Sequence, residues 1–171
     1  MPQSNNYRIR LAAASDVRPA LEMKLEAWRE AYAGFRDEAF FTYHQQNLEG
    51  QAAWWERGIA AGAQFFIAET AEGQIIGLAG GTPVIDEDKD AGVEIELGML
   101  YVLKQYYGTG LGAHLLETVL AGRDALAWVL EGNARALAFY RKHGFIADGT
   151  QEELTGSWKG LTELRMVRKR G

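Results

Sequence analysis

Val93-Glu94-Ile95-Glu96-Leu97-Gly98-Met99-Leu100-Tyr101-Val102 runs, through Leu103-Lys104-Gln105-Tyr106-Tyr107, into Gly108-Thr109-Gly110-Leu111-Gly112-Ala113. The first ten residues are apolar enough for a strand. After the glycines, Leu111, Leu115, Leu116, Val119 and Leu120 fall on one face at helical spacing. Strand, glycine-rich turn and helix N-terminus together suit a phosphate. Glycine lets the backbone approach the ligand, and the unpaired first-turn N–H groups and the helix dipole face the anion. A phosphorylated cofactor is therefore expected.

Two parses of the turn compete. Gly108-x-Gly110-x-x-Ala113 matches the dinucleotide fingerprint formally, with Glu131 at about the 20-residue offset of the ribose-binding acid. In that fold, however, the turn follows its strand almost directly. Here Leu103 to Tyr107 intervene, and the pattern leaves only one helix after Glu131. A P-loop is excluded for this turn, because no Gly-Lys-Ser/Thr closes it. The other parse is Tyr107-Gly108-Thr109-Gly110-Leu111-Gly112, a polar or aromatic residue followed by x-x-Gly-x-Gly.

Upstream, Tyr7 to Leu11 reads as a first strand. Ser15-Asp16 offers a cap for a helix whose stripe is Leu21, Leu25, Trp28 and Tyr32. Gly34 interrupts, and helices are expected over Asp37–Asn47 and Gln51–Ala61. Gln64–Glu69 and Gln74–Thr82 form a strand pair about Ala71-Glu72-Gly73, with glycines that suggest bulges. Asp86-Glu87-Asp88-Lys89-Asp90 reads as a solvated acidic loop. Downstream, Ala125–Leu130 is a strand and Asn133–His143 a helix. Phe145 onward ends in a strand near Leu161–Val167. This order predicts an α/β fold with a mixed sheet covered by helices.

At 171 residues the chain is most simply one domain over 1–171, large enough for a real core. A net charge of −5 argues against nucleic acid as a partner. Arg165, Arg168, Lys169 and Arg170 read as a solvated basic tail. There is no cysteine, which rules out a disulfide, a thiolate metal site and a cysteine nucleophile. Ser4, Ser15 and Ser157 sit in no Gly-x-Ser-x-Gly elbow. His44, His114 and His143 lack ligand spacing and read as packing or surface residues, so no metal is expected. The polar start does not read as a signal peptide, and no apolar run approaches the ~18 residues of a membrane span. A cytoplasmic protein without membrane contact is expected.

Glu96 to Val102, continued by Gly110-Leu111-Gly112-Ala113-His114-Leu115-Leu116, resembles the acyl-CoA-binding motif of the GNAT superfamily of N-acetyltransferases. The family pattern is Arg/Gln-x-x-Gly-x-Gly/Ala. A second block, Asn133-Ala134-Arg135-Ala136-Leu137-Ala138-Phe139-Tyr140-Arg141-Lys142-His143-Gly144-Phe145, resembles the family's Asn-x-x-Ala-x-x-Phe-Tyr-x-Lys-x-Gly-Phe. The blocks stand in the family's order, one strand apart. Trp28-Arg29-x-x-Tyr32-x-Gly34 resembles the first-helix region of some bacterial members.

The resemblance implies a GNAT-like fold with a splayed strand pair, and acetyl-CoA as acyl donor with no metal. Coenzyme A would lie in a gap between the Met99–Val102 and Ala125–Leu130 strands. Its amide-bearing arm would pair with backbone groups of Leu100, Tyr101 and Val102. The Leu100 N–H would face the thioester oxygen as charge builds there. The pyrophosphate would rest over Gly108, Thr109, Gly110, Leu111, Gly112 and Ala113. Tyr107 replaces the family's Arg or Gln, so backbone amides would carry most of that contact, with the Tyr107 or Thr109 hydroxyl as an addition. Asn133 and Phe139 are cofactor-side positions. Tyr140 occupies the general-acid position and also contacts the cofactor.

With no cysteine nucleophile, direct attack by an amine in a ternary complex is the simplest chemistry. An ammonium near pKa ~10.4 has to lose a proton first. Glu96 stands where the family often has its base, and Glu94, two residues earlier on the same strand face, is the reserve. Trp28 and Tyr32 are candidates to line the acceptor pocket. The acceptor is a primary amine of a small molecule or peptide, and a homodimer is left open. A non-catalytic acyl-CoA-binding or sensor module is the alternative of another class, and a dinucleotide-dependent oxidoreductase is the distant one.

Overall fold

A computed structural model describes residues 6–170; Ser4 lies outside the described residues. The strands are β1 (Tyr7–Leu11), β2 (Phe66–Thr70), β3 (Ile75–Pro83), β4 (Ile95–Val102), β5 (Ala125–Leu130), β6 (Phe145–Glu153) and β7 (Thr162–Arg168). The helices are α1 (Val17–Tyr32), α2 (Glu38–Gln46), α3 (Leu48–Ala60), α4 (Leu111–Leu120) and α5 (Ala134–Lys142). The strands order β1-β2-β3-β4-β5-β7-β6 in one mixed sheet. β4 and β5 are parallel, and β1–β2, β2–β3, β5–β7 and β6–β7 are antiparallel. The expected α/β class is the one observed. No helix among the described residues is long and apolar enough to cross a membrane.

The chain divides into two compact units. The first contains residues up to Gly80 together with Met99–Val119; the second contains Gly81–Gly98 and residues from Leu120 onward.

In the first unit, α1 buries Leu21, Leu25 and Trp28, as its stripe predicts, and packs on α2 and α3. Fully buried Ile67, Ile76 and Leu78 from β2 and β3, and Leu111, Leu115 and Leu116 from α4, form core here. Gly77 on β3 allows this close approach: a Cβ there would lie 2.9 Å from Leu115 Cδ1 and 3.2 Å from the Tyr101 carbonyl oxygen. The bulge expected from the glycines exists. Ala68 faces Gly77 and Glu69 faces Ile75, leaving Ile76 as the extra residue. One expectation changes. The Asp16 carboxylate does not cap α1; it accepts from the Ala13 N–H at 2.7 Å and from Arg10, and so closes the short 3-10 turn Ala14–Asp16.

The second unit is built on β5, buried except at Trp128. Three expectations change here. The Asp86–Asp90 stretch is a 3-10 turn, Asp86–Ala91, rather than a solvated loop. Asp88 is 5% exposed, because it accepts from Trp128 Nε1 at 3.1 Å and from Arg165 at 3.1 Å. Arg165 and Arg168 are not a solvated tail; they lie within β7, 3% and 1% exposed. Arg165 also pairs with Asp90 and Asp148, each at 2.7 Å. Arg168 lies over the Phe145 ring and donates to the Arg123 carbonyl. Finally, Phe145–Glu153 is itself a strand, paired with β7 as a hairpin whose register shifts between Ala147 and Gln151.

Candidate active site

The phosphate-binding half of the expected site lies in the first unit. β4 ends at Val102, and the Leu103 N–H donates to the Ile76 carbonyl at 3.0 Å, fixing the exit. The Glu30 carboxylate accepts from the Lys104 N–H at 3.1 Å and holds the 3-10 turn Lys104–Tyr106 that accounts for the spacer. Gly108 and Gly110 then take φ of +75° and +89°, a region disfavoured for side chains. A Cβ at either would meet nothing within 4 Å, so the space beside both glycines is open. The His114 N–H bonds to the Gly110 carbonyl at 3.0 Å, so α4 begins at once. The amides of Gly112 and Ala113 fall in its first turn, where a helix offers no internal acceptor. No acidic residue occupies that turn to repel an anion. These features fit a pyrophosphate. Thr109 is less available than its position suggests: its hydroxyl donates to the Tyr106 carbonyl at 2.6 Å, committing its proton to the turn.

Leu100, Tyr101 and Val102 lie on β4 and are half-buried. The Trp28 ring lies edge-on to Tyr101 and tilted against Tyr32, with ring centroids 6.1 and 6.2 Å apart. Trp28, assigned to the acceptor side, therefore stands beside the strand assigned to the acyl arm, and Tyr32 packs against Trp28. His44, read from sequence as a packing or surface residue, lies edge-on to Trp28 at 5.2 Å.

The residues expected to transfer protons lie in the second unit. Glu96 sits on β4 opposite Leu126. Burial, and then the charge of Asp88, hold its carboxyl above the ordinary value. Glu94 precedes β4 and is exposed, with its carbonyl accepting from the Val84 N–H. Asn133 caps α5, its side chain accepting from the Ala136 N–H at 3.1 Å. Tyr140, two turns on, has its ring between Phe139 and Phe145, with centroids 5.4 and 5.3 Å away.

Sequence reading missed Glu163 on β7. It faces Leu130 on one side and Glu152 directly on the other. Burial raises its carboxyl above the ordinary value, and the charges of Glu152 and Glu96 add to this. The protonated form is thus favoured in the folded chain. Glu163's contribution to stability is fully present below the ordinary carboxylate range and is lost as pH rises through the elevated value. Glu163→Gln should accordingly raise Tm at neutral pH by roughly 1–3 °C, with the gain vanishing near pH ~3. A Tm gain equal at both pH values in thermal melts would contradict this.

A family model described as an acetyltransferase (GNAT) domain matches residues 61–147, just over half of the chain. The chain belongs to the GNAT acetyltransferases. Uncharacterized N-acetyltransferases of Mycobacterium bovis and Mycobacterium tuberculosis are 38% identical over 88 residues, 47% of this chain. The chain spans about half the length of these curated relatives, 51%. The PaiA N-acetyltransferase of Thermoplasma acidophilum, solved with coenzyme A, superposes with a TM-score of 0.68 at 21% identity, covering 96% of this chain and 99% of that one. YncA of Salmonella typhimurium, solved with its cofactor acetyl-CoA, gives 0.66 at 21% identity, covering 95% and 92%. At these identities the structural likeness establishes the GNAT fold. The matched GNAT segment contains the glycine turn, Glu96, Asn133 and Tyr140, and it sets aside the dinucleotide parse.

Proposed function

We propose that this GNAT protein transfers the acetyl group of acetyl-CoA to a primary amine of a small molecule or peptide, by direct attack in a ternary complex. The observation that carries the reading is the left-handed, open Gly108–Gly110 turn feeding α4 within a chain of this family.

Bound acetyl-CoA would supply an activated acetyl thioester. The amides of the Gly108–Ala113 turn would hold its pyrophosphate, and the Tyr107 hydroxyl would add a donor. Leu100 and Val102 would pair with its amide-bearing arm, and the Leu100 N–H would stabilise charge on the carbonyl oxygen. Glu96, directly or through water, takes the proton that the acceptor ammonium loses. Its raised pKa brings its basicity closer to that task than an ordinary carboxylate allows. The new C–N bond forms as the C–S bond breaks, the Tyr140 hydroxyl gives its proton to the departing thiolate, and the second proton shed by the acylated nitrogen passes through solvent and restores the hydroxyl. Trp28 and Tyr32 line the acceptor side, and Glu94 is the reserve base.

Calorimetric titration of coenzyme A and NAD side by side tests the cofactor. Saturable binding of coenzyme A alone is expected, and NAD binding with none for coenzyme A would overturn the reading. The base is tested by Glu96→Gln. Activity should fall most at low pH and recover as the amine deprotonates in bulk. An unaltered pH–rate profile would remove Glu96 from that role, and coenzyme A affinity measured on the same variant shows that it folds.

A further inference from the structure

Lys24 on α1 is a buried ammonium that the acyl-transfer chemistry does not use. It is 8% exposed, and lysine is almost never fully buried unless paired. Among the described residues no carboxylate forms an ion pair with it. Its Nζ lies 4.4 Å from the Trp28 ring centroid and 5.2 Å from that of Trp55, whose faces replace part of its hydration. Burial nevertheless pushes its pKa down to about 8, so most molecules carry the charge at neutral pH.

A small cleft opens beside this ammonium among α1, α2 and α3. Lys24, His44 and Gln51 supply its polar lining, and Leu21, Leu25 and Leu48 its apolar floor. The space it encloses is about 10 Å³, enough for one water-sized group such as a single carboxylate oxygen, and its mouth opens to solvent, where the rest of a ligand would lie. Burial, and then the Lys24 charge, hold the His44 imidazole below its ordinary value, so it is neutral near pH 7. One ammonium beside a neutral imidazole and a neutral carboxamide balances a single negative charge. That matches a carboxylate better than a phosphate dianion.

We propose that the Lys24–His44–Gln51 cleft binds a carboxylate, and that this carboxylate belongs to the amine acceptor, making the substrate a zwitterionic amine of the amino-acid class. Its second part rests on the acyl-transfer reading above. The cleft shares Trp28 with the ring contact to Tyr101 on β4, so a ligand anchored at Lys24 lies one aromatic residue from the acyl-binding strand.

The test uses protein labelled at lysine ¹³Cε and ¹⁵Nζ, titrated with acetate alone and, as neutral control, acetamide. Acetate should shift the Lys24 signal saturably and raise its titration midpoint and acetamide should not; Lys24→Met, which deletes that signal and so assigns it, should keep coenzyme A affinity. A Lys24 signal indifferent to acetate, or responding equally to acetamide, overturns the site. The acceptor assignment is tested with acetyl-CoA and matched pairs, an amino acid against its decarboxylated amine. At least a tenfold kcat/KM preference for the carboxylated member is expected, lost in Lys24→Met. An acetate response without that preference overturns the acceptor assignment. An acetate response in a chain that acetylates no amine supports the carboxylate site while sinking the acyl-transfer reading.

Discussion

Tyr140→Phe is expected to lower kcat by ~10²-fold while leaving coenzyme A affinity nearly unchanged. The substitution removes one oxygen and keeps the ring that packs between Phe139 and Phe145. The Asn133 cap, the α5 helix and the hydrophobic seat of the side chain should therefore survive. What is lost is the proton that neutralises the departing thiolate. On the proposed mechanism the C–S bond then breaks toward an unprotonated thiolate, and the barrier rises by an amount typical of a missing general acid. The measurement is kcat under conditions where chemistry limits turnover, with calorimetry for coenzyme A on the same preparation. Wild-type turnover would reject the acid role.

Gly110→Val should have the other large effect, on binding. Gly110 takes a φ of +89°, where a β-branched residue is an outlier, and its carbonyl anchors the first bond of α4. Valine would have to change the turn, tilting the amides of the first helical turn away from the position they offer an anion, and its side chain would project into the open space at the turn. A loss of coenzyme A affinity of roughly 10²-fold is expected, about 2.7 kcal/mol. Because α4 is anchored by buried Leu111, Leu115 and Leu116, the chain should still fold. Calorimetry showing unchanged affinity would remove the turn from the cofactor site.

The features that sequence exposed most clearly are those whose chemistry leaves few alternatives. Only glycine sits comfortably at the φ values of Gly108 and Gly110, so the turn announced itself, and the apolar stripe of α4 followed at helical spacing. Asn133 was legible as a cap because its side chain takes up a first-turn amide. Strand β6 was hidden by the opposite condition. It is a polar strand at the end of the strand order with Ile146 72% exposed, and Gly149 sits within its register shift, so no alternation marks it. Within Asp86–Asp90 nothing local says which carboxylate turns inward. Asp88 is chosen by Arg165 and Trp128, which lie tens of residues away in sequence. Lys24 did leave a trace. It falls three residues after Leu21 and four before Trp28, squarely on the buried stripe, where a charge is out of place. His44 was less legible, because beyond Phe40, one turn earlier on α2 at 4.5 Å, the groups that define its surroundings, Lys24 and Trp28, come from another helix.

The acyl-transfer reading is tested most directly by a panel of amines incubated with acetyl-CoA, scored by free thiol released above the amine-free background and by the mass of one acetyl group added to the acceptor. Enzyme-dependent thiol release matched one for one by an N-acetylated amine is the expected result. Saturable coenzyme A binding with no thiol release over the background for any amine would contradict it, and would leave a protein that binds the acyl donor without transferring its acetyl group.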